Sequence, residues 1–114
     1  AAKLTAINTW YAERFADLLD RLSAVDAGDG GSLLDHSAVL WCNELGNAYI
    51  HEAANIPYVL AGRCGGSLDT GRFLQFDYRG HGELLAAIGQ ALGLGTTSFG
   101  MPEVYGSTLT EILS

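Results

Sequence analysis

The stretch LDHSAVLWCNELGNAYIHEAANIPYVLAG, residues 34–62, holds two short apolar runs separated by a polar segment. Ser37–Cys42 (SAVLWC) is almost continuously apolar and contains a β-branched and an aromatic residue, which is typical of a strand buried on both faces. Ile56–Ala61 (IPYVLA) is the second run. Its Pro57 cannot donate to a ladder, so we expect it at the start of a strand, Pro57–Ala61. The stretch therefore predicts two strands joined by a turn or a short helical segment.

The flanking sequence predicts helices and one further strand. Apolar residues three and four positions apart predict an amphipathic helix over Leu4–Val25. A strand over Phe73–Phe76 and a helix over Gly82–Leu92 follow, and a short strand or a single helical turn is expected near Thr110–Leu113. This order predicts an α/β fold with a small mixed sheet flanked by helices, in one domain over residues 1–114.

Composition bounds the class of protein and its partners. The chain has 114 residues, of which 48% are hydrophobic and 17% charged, as in globular proteins. The net charge is -7 and the six Lys and Arg are scattered, so no clustered basic face is expected for nucleic acid or anionic lipid. No apolar run approaches the roughly 20 residues that span a bilayer, and the first residues lack a signal-peptide core. We expect a soluble chain without a nucleic-acid or membrane partner.

Apolar surface is expected to remain after the chain folds. A sheet of two or three strands covers little, and large exposed apolar patches usually mark interfaces. The sequence therefore predicts a homo-oligomer, or packing against a region that precedes this one. Trp10, Tyr11 and Trp41 are expected in the core, and Cys42 and Cys64 as buried free thiols.

Glu44 and His51 are the carboxylate and imidazole that follow the carboxyl end of the first predicted strand. Ligands bind at that end of strands in open α/β sheets, and this pair of groups can hold a divalent metal or move protons. Two ligands are fewer than the three or four that zinc takes. The alternatives are a surface Glu with a partly buried His that orders the next strand, and a ligand site of another kind.

The remaining motifs favour structural roles. Gly65 and Gly66 lie in a glycine-rich connection that lacks the Lys-Ser/Thr ending of a phosphate loop. No serine lies in a nucleophile elbow. Asp35 and His36 form a turn pair for which we expect a capping or solvent role, and His81 is expected to be exposed at a helix start.

Asn43–Asn47 (NELGN), followed by His51 and then Ile56–Leu60 (IPYVL), resembles the C-terminal part of the alkaline phosphatase superfamily, which includes sulfatases and cofactor-independent phosphoglycerate mutases. More similar still are uncharacterised bacterial exported families on that fold, including the one named for an HXXSHH motif. The similar pieces, in chain order, are Leu33–Asp35, Ala38–Trp41, Glu44–Gly46, His51, Pro57–Gly62 and Gly65–Arg72. The resemblance covers roughly Leu18 to Leu92.

The resemblance implies the C-terminal half of an alkaline-phosphatase-like fold with an incomplete metal site. In those enzymes a strand ends in an Asp-His-Gly metal-binding turn, and a further metal-binding His follows. Glu44 stands in the place of the Asp and His51 in that of the downstream His, but Leu45 cannot ligate a metal. The nucleophile and the other ligands of the superfamily lie far N-terminal to this region, and the related families look exported or periplasmic.

Two functional hypotheses follow. The first is a non-catalytic α/β module that self-associates or packs on an N-terminal partner. The second is the C-terminal half of a metal-dependent hydrolase of phosphate or sulfate esters. We expect no cofactor in this chain alone, and a divalent metal only if other chain completes the site.

Overall fold

The computed structural model describes residues 2–101 and 107–114 and contains two helices and one β-hairpin. In chain order these are helix α1 (Ala2–Ser23), strand β1 (Val39–Cys42), strand β2 (Tyr58–Ala61) and helix α2 (His81–Ala91). Two 3-10 turns lie at Cys64–Gly66 and Thr110–Ile112. The protein is therefore a small α/β domain, and the part described has a two-stranded antiparallel sheet.

The hairpin presents different residues on its two faces. Leu40 pairs with Leu60, and Trp41 pairs with Val59. Because side chains alternate along a strand, Leu40 and Leu60 share one face, and both pack against the hydrophobic core. Trp41 and Val59 share the opposite face, where Val59 remains 44% exposed. We call this second face the outer face of the hairpin.

The core lies between the inner face of the hairpin, α2 and the end of the chain. Its buried residues are Leu68, Leu84, Ala87, Leu109 and Ile112. Leu68 is 1% exposed, and a backbone bridge joins it to Leu113. The Asp69 amide also donates to the Ile112 carbonyl at 2.9 Å. The C-terminal residues thus pack against the core and cover part of it.

Helix α1 has 22 residues and buries none of those described. Its ring contact with the hairpin joins Phe15 to Trp41, with centroids 5.6 Å apart. At its end, the Leu34 amide donates to the Leu22 carbonyl at 3.3 Å. Neither α1 nor α2 combines the length and the apolar character that a membrane-spanning helix needs.

Several predictions about the elements are confirmed. α1 and α2 match the helices expected over Leu4–Val25 and Gly82–Leu92 to within two residues. Pro57 directly precedes β2, and the turn expected near Thr110–Leu113 is the second 3-10 turn. His81 is exposed at the start of α2, as expected.

The predicted sheet is wrong in three respects. Phe73–Phe76 forms no strand and is exposed, with Phe73 at 87%. Arg72, directly before this segment, donates to the carbonyls of Asp69 and Glu111, so the segment is joined to the C-terminal turn. The sheet is consequently antiparallel rather than mixed, and β1 is an edge strand that is only half-buried, not buried on both faces.

The aromatic and thiol predictions also need correction. Trp10 and Tyr11 are 54% and 53% exposed, so they lie outside the core, because none of the residues 2–101 and 107–114 buries the N-terminal half of α1. Both thiols are free, but Cys42 is exposed and Cys64 half-buried.

Candidate functional site

The loop between β1 and β2 carries the residues predicted to bind metal, and backbone bonds close it. The Gly46 amide donates to the Glu52 carbonyl at 2.9 Å, and the Glu52 amide donates to the Asn47 carbonyl at 3.0 Å. A Cβ at Gly46 would collide with the Ala54 carbonyl oxygen. The sequence after β1 therefore needs glycine here for the loop to fold back on itself.

Glu44 lies two residues before this closed turn and His51 lies within it, and both are exposed. His51 has a positive φ of 53° and directly precedes Glu52. Over residues 2–101 and 107–114, no group of three or more His, Cys, Asp or Glu could hold a metal ion. The alternative of a partly buried His51 is wrong, since the loop leaves its ring in solvent. Metal binding by Glu44 and His51 stays a prediction.

A second polar cluster follows α1. The His36 Nε2 lies 2.9 Å from the Asp29 carboxylate, and the Asp35 carboxylate accepts from the amide and hydroxyl of Ser32, each at 2.8 Å. The Gly31 amide, followed by the His36 ring, lowers the pKa of Asp29, and the Ser32 amide lowers that of Asp35. These bonds cap an exposed turn, which confirms the structural role expected of Asp35 and His36.

The third polar cluster joins α2 to the chain end. Arg79 donates to the carboxylate of Glu83 and, at 3.2 Å, to that of Glu111. Glu83 is 7% exposed. Burial raises the pKa of its carboxyl, but hydrogen bonds from Arg79 and Ser107 outweigh that effect, so the pKa lies below its ordinary value. Arg79 thus pairs with both carboxylates and holds the start of α2 to the chain end. We call these three residues the clamp.

This clamp was missed at the sequence level, although a signal was present. Arg79 and Glu83 are four residues apart and flank the N-cap of α2, Gly80, so the pair is local in sequence although Arg79 lies outside the helix. The contribution of Glu111 had no such signal, because the fold brings it from 32 residues away.

An exposed apolar stripe runs along α1. Its members are Leu4, Ile7, Tyr11, Phe15 and Leu18, and all but the half-buried Phe15 are exposed. Leu4 is 66% exposed and Ile7 50%. We call these five residues the α1 stripe.

A shallow trough adjoins the C-terminal half of the α1 stripe. It has a volume of 380 Å³ and lies between α1 and β1. Its lining residues are Tyr11, Arg14, Phe15, Leu18, Val39, Leu40, Trp41 and Cys42. One charged side chain, that of Arg14, borders an otherwise largely apolar floor.

The whole chain exposes more surface than a folded protein of its size. Its accessible area is 7967 Å², whereas a folded monomer of its mass is expected to expose about 6,000 Å². Its radius of gyration is 15.6 Å, against about 13 Å for a compact domain of this length. The smallest of its three dimensions is 19 Å. The chain is a flat body with roughly 2,000 Å² of surplus surface.

The comparisons with known proteins add no relative from which a role could be carried over. No protein-family model, no curated protein and no solved structure matches this chain.

Proposed function

We propose that this chain is a non-catalytic α/β module that associates through the α1 stripe and the outer face of the hairpin. The partner is another copy of the chain or a polypeptide region N-terminal to it. One observation carries the proposal: a 22-residue helix with an apolar stripe has no buried residue. The resemblance to the C-terminal half of an alkaline-phosphatase-like fold supports it, since that resemblance implies a further region N-terminal to this one.

Helix α1 packs little against the other described residues. Most helical stability in proteins comes from packing an amphipathic face, rather than from intrinsic propensity. In α1 this packing is limited to the half-buried Phe15, Leu19 and Leu22 near the hairpin. Covering Leu4 and Ile7 would remove apolar area from water, at roughly 25 cal/mol for each Å². A partner on the α1 stripe would therefore stabilise the helix that binds it.

The alternative is one half of a metal-dependent hydrolase of phosphate or sulfate esters. It is favoured by Glu44 and His51, which lie after the carboxyl end of β1 at positions that resemble two metal ligands of the superfamily. Another polypeptide region would have to supply the nucleophile and the remaining metal ligands. No cofactor is expected in this chain by itself.

Turnover and metal content separate the two functions. We expect no hydrolysis of p-nitrophenyl phosphate or p-nitrophenyl sulfate by the purified chain with zinc, magnesium, manganese or calcium, and no stoichiometric zinc. One bound ion per chain that is lost in His51→Ala would favour the hydrolase.

The α1 stripe is tested with an apolar fluorescent dye, at a dilution where sedimentation shows single chains. Ile7→Asp places a charge on the stripe, and Thr9→Asp places the same charge on the opposite face of α1 as a matched control. We expect the dye to bind the original chain and Thr9→Asp, and to bind Ile7→Asp weakly. Equal dye binding by all three would overturn the proposal.

A further inference from the structure

We propose that the partner of the α1 stripe is a second copy of this chain, with the two α1 helices antiparallel about a two-fold axis at Tyr11. This inference rests on the proposed function and names its partner. Three independent features of the molecule lead to it: the spacing of the stripe, the difference between its two halves, and the surplus surface.

The α1 stripe is symmetric about its centre. Ile7 and Phe15 lie four residues on either side of Tyr11, and Leu4 and Leu18 lie seven residues on either side. In an antiparallel pair related by a two-fold axis, each residue faces the one equally distant from the centre in the other copy. Tyr11 would face the partner's Tyr11, and every other stripe position would face an apolar residue.

The two halves of the stripe are also complementary in shape. Leu4 and Ile7 protrude from the N-terminal half of α1, at 66% and 50% exposure. Phe15 and Leu18 instead border the 380 Å³ trough against β1. The two-fold axis places the partner's Leu4 and Ile7 over this trough, and the reciprocal contact follows from symmetry. Protruding apolar groups thus meet an apolar depression twice in one interface.

Area and charge permit this pairing. The surplus of roughly 2,000 Å² per chain exceeds the 800 Å² or so that each partner buries in an interface of standard size. The acidic residues Glu13, Asp17 and Asp20 are exposed and fall on the side of α1 away from the stripe. Antiparallel pairing therefore buries no carboxylate of α1.

The experiment is disulfide trapping in a Cys42→Ser background, which removes the exposed native thiol. Tyr11→Cys should form a covalent dimer on mild oxidation, because a two-fold axis brings residue 11 within the short Cα separation a disulfide needs. Leu4→Cys alone should not link, whereas a mixture of Leu4→Cys and Leu18→Cys chains should. Thr9→Cys, on the opposite face of α1, controls for random collision.

Sedimentation completes the test. We expect a dimer at tens of micromolar for the original chain and for Thr9→Asp, and a folded monomer for Ile7→Asp, with helix content checked by circular dichroism. Self-linking of Leu4→Cys would indicate parallel helices and overturn the antiparallel arrangement, as would linking of Thr9→Cys as efficient as that of Tyr11→Cys.

A monomeric original chain would overturn the second copy as partner. The proposed function is decided separately by the dye experiment, which uses single chains. A monomer whose dye binding is lost only in Ile7→Asp would leave an association module with a different partner.

Discussion

Helices α1 and α2 have the same kind of apolar periodicity but differ in burial. α2 has 11 residues, of which five are buried, because the hairpin and the chain end both pack against it. α1 is twice as long and buries none. Amphipathic spacing therefore identifies a face that must be covered, and the remainder of the fold determines whether the same chain covers it. The region around α2 holds the buried core, whereas α1 leaves its apolar face exposed, which is the face that we propose a partner covers.

Truncation of an apolar residue should show this difference most strongly. Leu68→Ala, at a position 1% exposed in the α2 region, should lower the free energy of unfolding by about 3 to 4 kcal/mol. Ile7→Ala, at a position 50% exposed on α1, should change it by less than about 0.5 kcal/mol in single chains. Urea denaturation of dilute protein measures both. Similar losses for the two variants would mean that α1 belongs to the same packed unit.

Two glycines with the same backbone angle sharpen the comparison. Gly62 and Gly28 both have φ 88°, but a Cβ at Gly62 would collide with the Ser37 carbonyl oxygen, whereas nothing lies within 4 Å of one at Gly28. Gly28→Ala should cost about 1 kcal/mol of stability from backbone strain alone. Gly62→Ala should cost about 3 kcal/mol, since strain and steric overlap combine. Thermal unfolding of the two variants would reveal the difference, and equal midpoints would contradict it.

The Arg79–Glu83 pair tests the polar side of the same contrast. Glu83→Gln should lower stability at neutral pH by about 2 kcal/mol, because the Arg79 guanidinium loses the more buried of its two charged acceptors and keeps only Glu111. Asp17→Asn, in the exposed Arg21–Asp17 pair on α1, should cost no more than about 0.5 kcal/mol. Chemical denaturation at pH 7 compares them.

The pH dependence of this pair has a definite sign. Since the folded-state pKa of Glu83 is lowered from 4.5, its contribution is present above that pH and is lost as the pH falls through the folded-state value. The acid limb of the stability curve should therefore be shallower in Glu83→Gln than in the original chain. An unchanged acid limb would show that Glu83 does not contribute in this way.

The smallest effect is expected at His51. Its ring is exposed on the β1–β2 loop, so His51→Ala should alter the free energy of unfolding by less than about 0.5 kcal/mol. Zinc content by mass spectrometry should be the same, near zero, in both proteins. A loss of stability above 1 kcal/mol that depends on added metal would indicate a bound ion.

Local sequence signals predicted the elements well where they depend on short-range physics. The apolar spacing located both helices, and Pro57 marked the start of β2. The strand predicted at Phe73–Phe76 was wrong: its apolar residues suit a strand, but pairing with another strand is not set by local sequence, and this segment does not pair with the hairpin. The predicted burial of Trp10 and Tyr11 was wrong for a similar reason. Aromatic character indicates a preference for burial, but it does not show whether another part of the chain packs on the residue.

The candidate sites show the same contrast between features set by local sequence and features set by long-range packing. Glu44 and His51 were found from their position after an apolar run, and both lie on the loop that follows β1. Their distance from other ligands depends on chain packing, which spacing alone does not encode. The α1 stripe was visible in the sequence as a helix face, but its exposure could be established only once the hairpin was seen to occupy the C-terminal end of that face.

The two free thiols differ in exposure, so their rates of alkylation can report on local motion near α2. The Cys64 amide donates to the Ser37 carbonyl at 3.0 Å, and its thiol lies 3.4 Å from the Ala91 carbonyl, so this residue ties the hairpin to α2. Cys42 is exposed at the end of β1 and borders the trough. Cys42 should therefore be alkylated faster than Cys64, and the ratio of the two rates would report how firmly the Cys64 thiol is held at the end of α2.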